Sequence, residues 1–316
     1  MATPIEVTNL AKRYDTVTAL NGISFDVQPG EVMGFLGPNG AGKTTTLRIL
    51  TGMIGPTEGV VRIDGIDVTE RPLDVRRRIG YLPEHLSLYP ELRVQEYLMY
   101  RARIKSVPSN TRRSRIDTVL EQCNLQDARR QLIGRLSKGY RQRVGLADCL
   151  IGEPKILILD EPTVGLDPHQ IRQTRELITT LGRSKTILLS THILPEVEMI
   201  CHRVTIIDKG RIVAVDTPAQ LRQRMQGTQV LRVQLRGEPV AVESALKPLP
   251  GVARVSLEGQ TDGFVSLEVQ AQPGADVREP IFHLAVERGW TLRELASIQA
   301  SLEDIFIHLT THESET

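Results

Sequence analysis

A chain of 316 residues is long enough for two ordinary domains, each with its own core. Its 39 Lys and Arg balance 38 Asp and Glu, which removes the bulk electrostatic case for nucleic acid as the main partner. The longest apolar runs, such as ILIL at 156–159, fall well short of the roughly 20 residues a membrane-spanning helix needs, and MATPIEVTNLAKRY at the start carries no secretory signal pattern.

In chain order, EVMGFLG (31–37) is a short apolar run that stops at glycine, as a buried strand does. It is followed by GPNGAGKT (37–44), which fits G-x-x-x-x-G-K-[ST] between a strand and an apolar helix. Gly37, Pro38, Asn39, Gly40, Ala41, Gly42, Lys43, Thr44 and Thr45 are therefore expected to cradle nucleotide phosphates. The glycines let backbone N–H groups turn inward, and the helix start adds its dipole. Lys43 is expected at the β- and γ-phosphates and the Thr44 hydroxyl on Mg²⁺.

Residues 90–150 are helical in pattern, an insertion with a cationic stretch at 101–115. That stretch is read as a mainly solvated face. KILILD (155–160) is the next buried strand. Its terminal Asp160 is the carboxylate expected to complete the Mg²⁺ site, and Glu161, next in line, is placed to deprotonate an attacking water. KTILLSTH (185–192) and RVTIIDKG (203–210) repeat the strand theme. His192 closes the first of them, at the sheet end where ligands collect, and is expected to reach the γ-phosphate. Residues 1–220 thus read as an α/β domain with a mainly parallel sheet. Cys123, Cys149 and Cys201, odd in number and far apart, are expected to be buried thiols rather than a disulfide framework or a metal site.

Around 216–229 the composition turns polar, which marks a linker. Beyond it, VLRVQLR (230–236) alternates, 240–249 is helical, and a strand pair flanks QTDG. Residues 276–289 are helical again, WTLRELA is extended, and Ser301 with Asp304 starts a last helix carrying Leu302, Ile305, Phe306 and Leu309 on one face. The order β-α-β-β-α-β predicts a small α+β domain of ferredoxin-like type.

GPNGAGKTT, LSKGYRQRV (136–144), ILILDEP, GLDP (165–168) and STH (190–192), in that order, resemble the nucleotide-binding subunit of ABC transporters over residues 4–222. They are similar to its Walker A, signature, Walker B, D-loop and switch histidine. The resemblance implies a P-loop NTPase ABC-type ATPase domain over 1–222 with a helical subdomain at about 90–150, a linker at 223–229, and an accessory domain over 230–316. It implies ATP and Mg²⁺ as ligands, Tyr14 stacked on adenine, and Glu84 at the Q-loop position, where a carboxylate replaces the usual Gln and touches Mg²⁺ or its water. In the signature, Lys138 and Tyr140 replace a Gly and a Gln, while Ser137 and Gly139 keep the hydroxyl and the close backbone N–H for phosphate.

That second anion-binding helix start implies a head-to-tail dimer with another copy or a paralogous subunit, each signature capping the partner's ATP. The resemblance further implies separate transmembrane permease subunits, a peripheral place on the cytoplasmic face of the membrane, and no nucleic acid partner. The SLEDIFIHLT ending is similar to the ABC-2-type exporter branch. A soluble ABC ATPase acting on DNA or ribosomes lacks its usual coiled coil or second cassette here, and an importer ATPase with a regulatory tail is the other alternative.

Overall fold

The computed structural model of the chain describes residues 3–225, 230–272 and 274–298. The expected terminal helix at 301–309, and residues 226–229 of the expected linker, lie outside the described residues. The chain divides into two compact units, 1–218 and 219–316.

The first unit opens with β1 (Ile5–Tyr14) and β2 (Val17–Val27), an antiparallel hairpin. β3 (Val32–Leu36) is buried along its whole length and leads through the glycine loop into α1 (Lys43–Leu50). β4 (Glu58–Ile63) and β5 (Ile66–Asp67) return to pair beside β1. These strands make a four-stranded antiparallel sheet, β2-β1-β4-β5. It adds a second sheet to the mainly parallel one expected: the pairing of β1 with β4 joins segments some fifty residues apart and leaves no local mark. β1 bulges where Asn9 takes φ 48°, and Gly59 faces that bulge with the ideal Cβ position only 2.3 Å from the Asn9 carbonyl oxygen.

After α2 (Pro72–Arg78) comes β6 (Ile79–Leu82), then the helical insertion: α3 (Val94–Ile104), α4 (Arg112–Gln122) and α5 (Lys138–Leu150). Its cationic stretch is only partly solvated. Asp148 takes Arg101 at 2.9 Å and Lys105 at 3.1 Å, and Glu153 takes Arg115 at 2.7 Å. The main sheet is completed by β7 (Ile156–Asp160), α6 (Pro168–Gly182), β8 (Thr186–Thr191), α7 (Leu194–Ile200), β9 (Arg203–Asp208) and β10 (Arg211–Asp216). Its order is β10-β9-β3-β8-β7-β6, parallel except for the β9–β10 pair.

The apolar runs of the central strands are buried on both faces, as the sequence of a parallel sheet demands. One core joins the inner face of the antiparallel sheet, the apolar side of α1 and one face of the main sheet. Phe25 and Phe35 meet there with ring centroids 5.2 Å apart.

α8 (Pro218–Met225) begins where the chain passes from the first unit to the second, so residues 223–225 of the expected linker are helical. The second unit runs β11 (Val230–Arg236), α9 (Pro239–Leu246), β12 (Val252–Thr261), β13 (Phe264–Ala271), α10 (Arg278–Glu287) and β14 (Thr291–Ile298). Its antiparallel sheet has the order β12-β13-β11-β14, the ferredoxin-like arrangement. The β12–β13 turn is a two-residue loop, Asp262-Gly263, with both φ values positive (54° and 77°), which suits the twist of a hairpin. Leu231, Val233 and Leu235 alternate inward to meet Val242, Leu246 and Ile281 of the helices.

Candidate functional site

At the C-terminal end of β3 the chain must turn back sharply to start α1. Gly40 and Gly42 do so with φ 83° and 108°, a region closed to most side chains. Space is equally decisive: a Cβ on Gly37 would lie 2.4 Å from the Ile207 carbonyl oxygen, and one on Gly42 would lie 2.7 Å from that of Ala19. The loop therefore exposes backbone rather than side chains. α1 has no acidic residue in its first turn, which leaves its N-terminal dipole free for an anion. Lys43, only 6% exposed, donates from Nζ to the carbonyls of Gly37 at 2.7 Å and Pro38 at 3.3 Å.

β7 and β8 supply the opposite wall. Their parallel register sets Asp160 beside Ser190, and the Ser190 hydroxyl donates to Asp160 Oδ1 at 2.6 Å. Burial pushes the Asp160 carboxyl above its ordinary pKa; that hydrogen bond opposes the rise, while Glu84 and Glu161 add to it. Glu161 follows with φ 48°, its N–H donating to the Ser190 carbonyl oxygen at 3.1 Å. This turn aims its carboxylate back over the sheet end. Both carboxylate oxygens lie 3.0 Å from His192 Nδ1, and Oε1 lies 3.4 Å from Lys43 Nζ. Two side chains, Lys43 at the start of α1 and His192 just after β8, thus converge on the buried carboxylate that follows β7.

Together they border a cleft of about 280 Å³ lined by residues 38–40 and 42–45, with Glu84, Glu161 and His192. Ala19 and Val164 also line it; sequence reasoning did not foresee them, nor the Ser190 clamp on Asp160. A serine inside the apolar run ILLST was the available signal, because a buried hydroxyl needs a partner. Gly37, Ala41 and Asp160 sit behind the lining.

Three expected residues lie elsewhere. Tyr14 ends β1, 43% exposed, with Lys12 Nζ 5.1 Å from its ring centroid, and is not part of the cleft lining. Ser137 caps α5, accepting from the Tyr140 N–H at 3.3 Å. Gly139 is pressed against the Gln170 side chain, with its ideal Cβ position 2.4 Å from Cδ. Val144, Ala147 and Ile151 are buried, which anchors α5 by its apolar side, and its start lies away from the cleft.

The site fits a magnesium nucleotide. A glycine cradle, a buried ammonium and a helix start suit phosphates, and Thr44, Asp160 and Glu84 offer the hard oxygen donors Mg²⁺ prefers. Among the described residues no group of three His, Cys, Asp or Glu side chains forms a self-sufficient metal site. The cation would then share phosphate oxygens, as Mg²⁺ commonly does.

Residues 20–164 match the family described as ABC transporter. The chain is 37% identical over 311 residues to the Nod factor export ATP-binding protein I of Burkholderia pseudomallei, covering 98% of each chain. It is 34% identical to a daunorubicin resistance ATP-binding protein of Streptomyces coeruleorubidus, over 98% of this chain and 96% of the relative. Among solved structures, an ATP-binding subunit of an ABC transporter aligns with a TM-score of 0.65 at 32% identity, over 71% of this chain and 93% of the other. A dimeric ATP-binding cassette in a post-hydrolysis state, bound to ADP and Pi, aligns with a TM-score of 0.62 at 26% identity, over 67% of this chain and 98% of the other.

Proposed function

The chain belongs to the ABC transporter family of ATP-binding proteins, and on that premise we propose that it hydrolyses MgATP to energise export through separate membrane-spanning permease subunits. The observation that carries the reading is the placement of Glu161 between His192 and Lys43 at the mouth of the glycine loop. Among the described residues no helix is long and apolar enough to cross a membrane, and the reading assigns the transport path to the permease. Relatives of similar identity are named for Nod factor, daunorubicin and linearmycin. That spread supports export as the shared task, with cargo chosen by the permease. The peripheral position on the cytoplasmic membrane face follows from the same partnership.

In this reading the loop residues 37–42, through the backbone N–H groups that all but Pro38 carry, and Lys43 hold the β- and γ-phosphates, with Thr45 at the loop's end and Tyr14 against the adenine. Thr44, Asp160 and Glu84 hold Mg²⁺, which when bound neutralises charge on the phosphate oxygens. Glu161 takes the proton of the attacking water. His192 holds that carboxylate through Nδ1 and contacts the γ-phosphate. Ser137 and Gly139 of a second copy, or of a paralogous subunit, close the site head-to-tail, and the 230–316 domain tunes that assembly.

Two inactive variants should rescue each other. One chain carries Lys43→Ala with an intact signature; the other carries Ser137→Arg with an intact loop. A mixed dimer holds one site with both defects and one complete site. ATPase activity of purified mixed dimers, with the permease present if the free subunit is silent, is expected well above either parent. Dimers known to be mixed that show neither turnover nor ATP-driven closure by crosslinking would refute the cross-subunit site.

A further inference from the structure

Behind His192 lies a buried carboxylate that the proposed chemistry does not use. Glu196, on α7, is 0% exposed, and its Oε1 has no hydrogen-bond partner among the described residues. Arg175 of α6 approaches that oxygen only to 3.6 Å, and its own buried Nε is also without a partner. A buried ion pair with incomplete hydrogen bonding contributes little to stability, and an apolar pair of similar volume often does as well. Packing alone does not account for this pair.

The other carboxylate oxygen is committed. The Thr191 hydroxyl donates to Glu196 Oε2 at 3.2 Å, and the same Thr191 Oγ1 accepts from the Ile193 N–H at 3.0 Å. The two bonds straddle His192, one residue before it and one after. Because the hydroxyl proton goes to Glu196, a lone pair is left facing the Ile193 amide. Glu196 thereby orients the group that ties the backbone turn carrying His192. The ring itself, with a side chain 45% exposed, makes its hydrogen-bond contacts with Glu161. Its direction is thus set by Glu161 at Nδ1 and by the turn beneath it.

We infer that Glu196 is a positioning residue for His192, acting through the Thr191 hydroxyl, with Arg175 tying the turn to α6. The inference rests on the reading of His192 as a γ-phosphate contact. α6 starts at Pro168 with Asp167 as its cap, so the same tie joins the switch histidine to the helix that follows the GLDP loop.

The test is ATPase kinetics of the full chain, under single turnover where rates are low, for Glu196→Gln, Thr191→Val and Thr191→Ser, each alone and combined with His192→Ala. Glu196→Gln and Thr191→Val are expected to lower kcat ~10- to 100-fold, the scale of a misdirected catalytic group, with the KM for ATP changed less than about two-fold. Thr191→Ser keeps the hydroxyl and is expected to keep the rate. In the His192→Ala background, Glu196→Gln is expected to cost nothing further, since the residue it positions is gone. Losses that multiply across the pair, or a KM that rises to account for the loss, would overturn the inference and leave a structural role only. If Glu196→Gln does not fold, Thr191→Val breaks the same link and carries the same comparison. Wild-type turnover by His192→Ala would instead refute the reading of His192, and this inference with it.

Discussion

Gly42→Ala and Gly40→Ala each add one methyl to the same loop, yet their consequences should be far apart. At Gly40 the φ of 83° is the whole difficulty, because the ideal Cβ position has nothing within 4 Å. Strain of that kind costs about 1–2 kcal/mol for a non-glycine residue. At Gly42 the φ is 108°, and the methyl would meet the Ala19 carbonyl oxygen and Leu20 Cδ2, both at 2.7 Å. Strain of about 1–3 kcal/mol and overpacking of about 1–3 kcal/mol together give about 2–6 kcal/mol, a large part of a typical domain's stability of about 5–15. Equilibrium urea unfolding followed by far-UV circular dichroism measures both variants, with the midpoint read at constant slope. The single tryptophan, Trp290, belongs to the second unit, so its fluorescence gives a separate trace for that unit. ATP affinity should fall with Gly42→Ala as well, because Leu20 and Ala19 can yield only by displacing the loop that Lys43 follows. Equal midpoints for the two variants would refute the assignment of crowding at Gly42.

Glu161→Gln should bind MgATP about as tightly as wild type and hydrolyse it about 10²- to 10⁴-fold more slowly. Lys43→Ala should instead lose affinity too, which equilibrium ATP binding separates; near-normal turnover by Glu161→Gln would remove that residue from the chemistry. Burial pushes the thiols of Cys123 and Cys149 up to about 12, and that of Cys201 upward as well, so none should react with Ellman's reagent at pH 8 until the protein unfolds. A raised thiol pKa favours the folded state fully below the ordinary value of ~8.5, so this contribution should fade as pH climbs from there towards about 12. A native thiol that reacts quickly would contradict its burial. A chain ending after Met225 should fold and bind ATP; its failure to fold would show that the two units depend on one another.

Much of this was legible in the sequence, for physical reasons that also mark the limit. Runs such as ILILD and TILLST are strands buried on both faces, so unbroken hydrophobicity gave their extent almost to the residue. The alternation of VLRVQLR, the turn at Asp262-Gly263 and two short helices likewise traced the second unit in order. Local patterning could not show which strands become neighbours. The antiparallel sheet depends on β1 meeting β4, and the bulge at Asn9 breaks the alternation that would have announced it. The site divides along the same line. Lys43, Thr44, Asp160, Glu161 and His192 each ended a strand or began a helix and could be named from that. Their convergence and the Ser190 hydroxyl on Asp160 belong to the register of β3, β7 and β8, while the Glu196–Thr191 tie is a side-chain contact across the turn after β8 that hydrophobic patterning does not mark. Tyr14 was suggested by resemblance alone, and the residues around it place it against Lys12.

The position of β3 in the middle of the main sheet has a consequence for how the protein is made. Gly30, just before β3, donates to Thr186 156 residues further along, and Val32 donates to the His202 ring 170 residues ahead. The glycine loop emerges early in synthesis, but the strands that flank β3 come only after the entire helical insertion. Closing loops of this length must precede the contacts that reward it, so folding of the first unit should be slow for its size. A growing chain carries its phosphate loop for about half of translation with no wall opposite it. Nucleotide then cannot act as an early template for folding, and affinity for ATP should arise abruptly, once β8 and β9 have cleared the ribosome and docked on either side of β3.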